Sequence, residues 1–340
     1  MDASKNNPPI WQQVLADIAL LIVNVIWGST FIMVDTAVET VSVFVFLALR
    51  FGIAFLALLI FFAYFLIKKP PTKADLWRGV LIGVFLFGGY TFQTFGLQCG
   101  TGPGKAGFIT GLSVVLVPIF SAIILKKKPH SLSWLGIAIA VIGLGLLSFD
   151  TGWHFGISDI KGDFLVLAGA ICFAFHIISI DRFIQKSPFI PLTVFQVGTT
   201  AVLSWLLTVT FWGRSFPIVF NSQVLFAVIF TGLVATALIY ATQTFVQKRT
   251  SPTHVAVIFA TEPVFAAIFA VSLTTETFLL RQWGGCALIL AAMLFQQILD
   301  IFYIKDARAK KEPLKNSNTE KKEESKTHSI EEEKTQEKSV

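Results

Sequence analysis

The strongest constraint in this chain is a recurrence. From Leu15 to Tyr303, stretches of about 20 nearly uncharged residues follow one another, separated mostly by short polar connectors. About 20 apolar residues is the length a helix needs to cross the hydrocarbon core. Backbone groups in lipid must be satisfied within their own segment, so each stretch reads as a helix. The stretches run over 15–34, 43–67, 77–97, 106–125, 132–149, 163–180, 191–212, 224–246, 254–274 and 283–303. The reading is an all-α membrane protein with ten transmembrane helices. Only 14% of the residues are charged and 54% are hydrophobic, a balance outside the soluble range.

The formal charge of +6 invites a nucleic-acid partner. The basic residues, however, sit in connectors and in the C-terminal tail, where membrane topology accounts for them. The expected partners are therefore the lipid bilayer and a small-molecule solute, with no nucleic acid; a homodimer is left open. With the N-terminus inside, the inner loops carry eleven Lys and Arg, among them Lys68, Lys126 and Arg182, against four outside (Lys105, Lys161, Arg214, Arg281). Both termini are expected in the cytoplasm, and the first apolar run, with no convincing cleavage site, reads as an anchor. The tail from Lys305 holds ten basic and nine acidic residues and lacks the apolar content to fold, so it reads as disordered. Cys99, Cys172 and Cys286 have no paired or metal-like spacing and read as packing residues.

A second pattern divides the chain. Residues 90–95 read "YTFQTF" and residues 240–245 read "YATQTF". A shift of 150 sets Tyr90 on Tyr240, Gln93 on Gln243, Thr94 on Thr244 and, in the next span, Ala106 on Ala256. A slightly smaller shift sets Asp35 on Asp181 and Arg50 on Gln196. Each half then holds five spans. An odd number forces the second copy to cross in the opposite sense, the pattern of two inverted five-helix repeats. The expected organisation is 1–14 cytoplasmic N-terminal tail, 15–149 first repeat, 150–162 external linker, 163–303 second repeat and 304–340 cytoplasmic tail. In this geometry the Tyr90–Gln93 pair is expected toward the outer mouth and Tyr240–Gln243 toward the inner one.

Four segments carry a resemblance: "WGSTF" at 27–31, "LRFGIAFL" at 49–56, "GKAGFITGLSVVLVPIFSAIILKKKP" at 104–129 and "SPTHVAVIFATEPVFAAIFAVSL" at 251–273. In this order, over residues 15–303, they resemble the EamA family of the drug/metabolite transporter superfamily. The resemblance implies helices bundled around a central cavity and uptake or efflux of small metabolites. The chain departs from the family pattern at "CFAFHIISIDRF" in the sixth span and at "LTTETF" after the ninth.

Polar side chains inside the membrane are costly unless they face a cavity or the bundle interior, so each is a functional candidate. Glu262 lies mid-span directly before Pro263, which removes a backbone hydrogen bond and can kink the helix. A carboxyl there either accepts hydrogen bonds at the kink or takes up and releases a proton as the cavity opens and closes. Arg50, two turns inside the second span, pairs structurally, contacts an anionic group or reaches back to the surface. His176 reads as a proton relay or a hydrogen-bonded cavity residue. Tyr90 with Gln93, and Tyr240 with Gln243, stand one turn apart on a helix face and can grip a zwitterionic or amide-bearing solute or join helices. Trp27, Thr30 and Gln196 complete the expected lining. Gly79/Gly83 and Gly107/Gly111 read as close helix packing.

"GTGPGKAG" at 100–107 imitates a phosphate loop, but Cys99 and Ala106 stand where that motif requires Gly and Ser or Thr. No cofactor, metal or catalytic group is expected, and the chain does not read as an enzyme. The sequence supports a secondary transporter of a small metabolite, an amino acid or related compound among the candidates, working by alternating access on a gradient in a bacterial inner membrane. A passive pore or a non-transporting scaffold are the competing readings.

Overall fold

The computed structural model describes residues 10–99, 101, 103–126, 131–148, 160–210, 221–273 and 279–309. All regular structure among them is helical: α1 Ile10–Thr40, α2 Val43–Lys68, α3 Lys73–Gln98, α4 Pro103–Gly111, α5 Ser113–Ile124, α6 Ser133–Ser148, α7 Ile160–Phe183, α8 Phe189–Thr210, α9 Ser222–Gly232, a π segment Leu233–Leu238, α10 Ile239–Gln247, α11 Pro252–Phe259, α12 Glu262–Leu273 and α13 Leu280–Ala309. Seven helical runs among the described residues are long and apolar enough to cross a membrane. Three shorter apolar helices, Ile109–Ile124, Ser133–Leu146 and Leu280–Phe295, fall at the other expected spans. The bundle occupies residues 8–296; a second compact unit comprises 1–7 and 297–340. Within that second unit, residues 297–309 continue as helix, past the expected tail boundary at 304, because no Gly or Pro interrupts them before Pro313. The tail from residue 310 and residues 150–159 of the expected 150–162 linker lie outside the described residues. Likewise α1 begins at Ile10, ahead of the expected boundary at 15.

The exterior is apolar: Ile60, Phe61 and Ile67 are 79%, 76% and 81% exposed. Such side chains in water would be an extended hydrophobic patch; in lipid they are the ordinary surface of a spanning helix. Helix ends follow local rules. Thr72 caps α3 by accepting from the Asp75 amide at 3.2 Å, while Asp75 Oδ2 accepts from the Thr72 amide at 2.9 Å, a reciprocal capping box. Asp75 also ties this end to the α7–α8 connector by accepting from Ser187 Oγ at 2.5 Å.

Inside the bundle, α3 packs on α7 and α8, α2 on α8, and α1 on α12 and α9. Small residues allow the close approach, as expected where lipid tails are as apolar as the side chains. A Cβ at Gly83 would stand 2.5 Å from the Gln196 carbonyl oxygen, and one at Gly28 would stand 2.7 Å from the Ala266 amide nitrogen. The Gly79/Gly83 pattern thus meets α8 closely, whereas Gly107 borders the central cavity and Gly111 meets Leu144.

Two spans are broken. Helix α11 stops at Phe259 and α12 starts at Glu262, where Pro263 cannot supply the amide hydrogen that would continue the ladder. Asn24 of α1 covers the break, donating through Nδ2 to the Ile258 carbonyl at 2.7 Å and to Thr261 Oγ1 at 3.0 Å. The other break separates α4 from α5 at Leu112, 150 residues before Glu262 and therefore at the matched position of the sequence repeat. A third irregularity has no counterpart in α3. The run from α9 to α10 widens into the π segment, and the Trp27 indole donates to the Ala235 carbonyl inside it at 2.9 Å.

Candidate functional site

The two breaks meet around one cavity, and the π segment leads into its α10 wall. Its walls come from α1 (Trp27, Thr30, Phe31), α2 (Arg50), α3 (Tyr90, Gln93), the α4–α5 break, α7 (Phe173, His176), α10 (Tyr240, Gln243) and the α11–α12 break (Phe259, Glu262). The room open to the centre of a water molecule is about 80 Å³. A single water needs roughly 10–15 Å³ by that measure, so the space suits a small solute rather than one or two waters.

The tyrosines of the repeated phrase stand at the middle of this site, and here the expectation of two separate mouths is corrected. Tyr240 Oη donates to Tyr90 Oη at 2.8 Å. Corresponding residues of two copies meet when they lie near the axis relating those copies. Position along a helix gives depth to within a turn, but not lateral distance from that axis. The glutamines diverge: Gln93 Nε2 donates to Thr110 Oγ1 at 2.9 Å, and Gln243 Nε2 donates to Gln247 Oε1 at 3.4 Å.

Arg50, 3% exposed, is held on the wall. Its Nε donates to Thr236 Oγ1 of the π segment at 2.8 Å and its Nη2 to Tyr90 Oη at 3.3 Å, with the guanidinium 4.6 Å from the Tyr90 ring centroid. A planar fork of donors stacked on an aromatic face is what Arg offers and Lys does not. Snorkelling is thereby ruled out for this conformation. Glu262 opens α12, where the helix dipole favours an acidic residue, and makes no ion pair with Arg50.

His176 is fully enclosed, with Nε2 2.8 Å from Gln196 Oε1; Gln196 Nε2 in turn donates to Thr244 Oγ1 at 2.9 Å. Gln196 therefore lies behind His176 rather than on the cavity wall. The other nine predicted residues (Trp27, Thr30, Arg50, Tyr90, Gln93, His176, Tyr240, Gln243 and Glu262) all border the cavity. Thr236, Thr110 and the aromatic walls Phe31, Phe173 and Phe259 were not among those expected. Nothing distinguishes these three among 34 Phe, and Thr236 matters only because the π segment turns it to Arg50.

The cavity reaches toward the C-terminal ends of α1 and α3, at Val34 and Leu97. Toward the opposite ends the bundle is closed by polar contacts. His254 Nε2 and Asp17 Oδ1 are 2.7 Å apart and buried, and Gln247 Nε2 donates to the Ile177 carbonyl at 2.6 Å. Among the described residues no cluster of His, Cys, Asp and Glu could hold a metal ion. The three cysteines are free, with Cys286 buried and Cys99 exposed.

A multi-pass helical bundle whose broken helices meet at a polar central cavity is the architecture of a membrane transporter. The sequence profile of the EamA-like transporter family matches this chain twice, over residues 14–149 and 160–296, and the chain belongs to that family. It is 34% identical over 283 residues to a protein of Archaeoglobus fulgidus described as an uncharacterized transporter, covering 83% of this chain and 86% of that one. It is 24% identical over 296 residues to a probable amino-acid metabolite efflux pump of Salmonella typhimurium, covering 81% and 92%. Over 161 residues it is 30% identical to YedA of Escherichia coli, described as an uncharacterized inner membrane transporter, covering 46% of this chain and 50% of that protein. A solved crystal structure, 21% identical, matches with a TM-score of 0.69 over 84% of this chain and 97% of its own, a likeness of fold.

Proposed function

We propose that this transporter moves a small metabolite across a bacterial inner membrane by alternating access, driven by an ion or solute gradient. The reading takes the chain as ten spans in two inverted five-helix repeats with both termini cytoplasmic. The observation that carries it is a cavity lined from both halves of the chain, reaching toward one side and closed toward the other by Asp17–His254. Support for the repeat comes from the paired breaks at Leu112 and Glu262 and from packing that survives exchange of the halves: α3 on α7 matches the eighth span on α1, and α2 on α8 matches itself. Exchange of such halves around a fixed site is how inverted repeats alternate.

Glu262 is the proton-coupling candidate, since it is an acid at a helix break on the cavity wall. An amino acid or related compound is the solute class favoured here, on the strength of the polar lining and the name of the Salmonella relative. A passive pore is disfavoured by the polar closure at one end. The test is uptake and counterflow in proteoliposomes against a metabolite panel, with and without a pH gradient. Movement of at least one solute with counterflow is expected; if none moves under any gradient, the reading fails.

A further inference from the structure

Two hydrogen-bond chains fix which atoms the cavity offers to a solute. Thr244 Oγ1 donates its one proton to the Tyr240 carbonyl at 2.7 Å, so toward Gln196 it can only accept. That turns Gln196 Nε2 to Thr244 and Gln196 Oε1 to His176 Nε2. An amide oxygen cannot donate, so the imidazole carries a proton on Nε2. In the neutral ring Nδ1 is then an acceptor, and it has no partner among the described residues.

The second chain runs through Gln247. Its Nε2 is committed to the Ile177 carbonyl, so its Oε1 faces Gln243 and takes the Gln243 Nε2 donor. Gln243 is 1% exposed and its Oε1 is left buried with no partner, on a residue that borders the cavity. A buried acceptor without a donor is costly and calls for one. Gln93 repeats the theme, because its Nε2 is committed to Thr110. The strongest donor, Arg50, has two of its N–H groups tied to Thr236 and Tyr90. Arg50 keeps three further N–H groups, so the lining offers one cationic donor beside four acceptors on residues that border the cavity: Glu262, Gln243 Oε1, His176 Nδ1 and Gln93 Oε1.

We infer that the cavity is an ammonium site: its solute carries a protonated amino group whose N–H bonds go to Glu262, Gln243 Oε1 and His176 Nδ1. The apolar body of the solute lies against Trp27, Phe173 and Phe259, where aromatic faces also favour a cation. This deepens the proposed function and rests on it. The neighbouring Arg50 makes an anionic group the competing ligand, and the experiment separates the two.

The full chain in proteoliposomes is offered amino compounds beside their deaminated counterparts: leucine with 4-methylpentanoate, isopentylamine with isopentanol, putrescine with 1,4-butanediol. Counterflow is measured for each. Every solute that moves is expected to carry an ammonium group, with its counterpart at least about tenfold slower, the weight of one hydrogen bond to a charged group. Movement of a deaminated member as fast as its partner overturns the ammonium site while leaving transport standing. No movement of any compound under any gradient defeats the transport reading itself. In parallel, Gln243→Met is expected to raise KM for the amino solute about tenfold. Because it also removes the donor to Gln247 Oε1, Gln247→Met, which breaks that bond and leaves Gln243 Oε1 in place, is the control and should leave KM within about twofold. An unchanged KM in Gln243→Met, or an equal rise in both variants, returns Gln243 to a structural role.

Discussion

The hydroxyls of Tyr90 and Tyr240, 150 residues apart in the chain, are joined by a 2.8 Å hydrogen bond at the centre of the bundle. Tyr90 accepts there from Tyr240 and also from Arg50 Nη2. The two tyrosines are therefore unequal. Tyr90→Phe strands two donors, whereas Tyr240→Phe removes one donor from an oxygen that keeps another. Thermal unfolding in detergent should show Tyr90→Phe the more destabilised, with each buried unsatisfied group costing about 1–3 kcal/mol. Equal losses would mean that the hydroxyls share their protons evenly.

Glu262→Gln keeps the shape of the side chain and removes its ability to exchange a proton. Uptake by this variant is expected to be independent of a pH gradient, while its thermal midpoint stays close to that of the parent. Proton dependence identical to the parent would restrict Glu262 to accepting hydrogen bonds at the break before Pro263.

Asp17→Ala removes the carboxylate that stands 2.7 Å from the buried His254 Nε2 and should loosen the closed end of the bundle. Removing one member of a buried polar pair is destabilising, because the other stays desolvated and loses that contact. A cysteine at Ile177, in a background without Cys99, Cys172 and Cys286, reports the change. Its labelling by an impermeant thiol reagent from the α11 side should rise several-fold with Asp17→Ala. Labelling that does not change would mean the pair has no part in closure.

Gly83→Val places a branched side chain where even a Cβ would be 2.5 Å from the Gln196 carbonyl oxygen. Backbone cannot yield as a flexible side chain can, so α3 and α8 must separate. The yield of monodisperse protein should fall sharply, whereas Gly284→Ala, with open space around it, should leave the yield unchanged.

Orientation is tested by tags. A reporter in the 150–162 connector should be accessible from outside the cell, and one in the 126–131 connector only after permeabilisation. The reverse result would invert every inside and outside assignment made from the Lys and Arg distribution.

The helical, multi-pass plan was legible because apolar length acts over tens of residues. Glu262 and Pro263 announced a helix break, since proline's missing amide acts locally and needs no tertiary context. What escaped was lateral position. Periodicity puts Tyr90 and Tyr240 at opposite mouths and Gln196 on the lining, because it gives a face and a depth but not which neighbour stands opposite. The π segment was invisible for a different reason. "LVATAL" has ordinary helical propensity, and the wider turn depends on partners far away: Trp27 for the Ala235 carbonyl and Arg50 for Thr236.

The distribution of exposed Ile60, Phe61 and Ile67 against enclosed His176, Gln196 and Thr236 turns the usual geography of a globular protein inside out. Mutational tolerance should invert with it. At the rim any oily residue serves as well as another, so drift there is free among Leu, Ile, Val and Phe. At the centre, a change as slight as Gln to Leu strands the buried partners of that amide and, on the function proposed above, alters what the molecule recognises. New specificities in such a scaffold can therefore arise from few substitutions, without disturbing the surface by which it sits in the membrane.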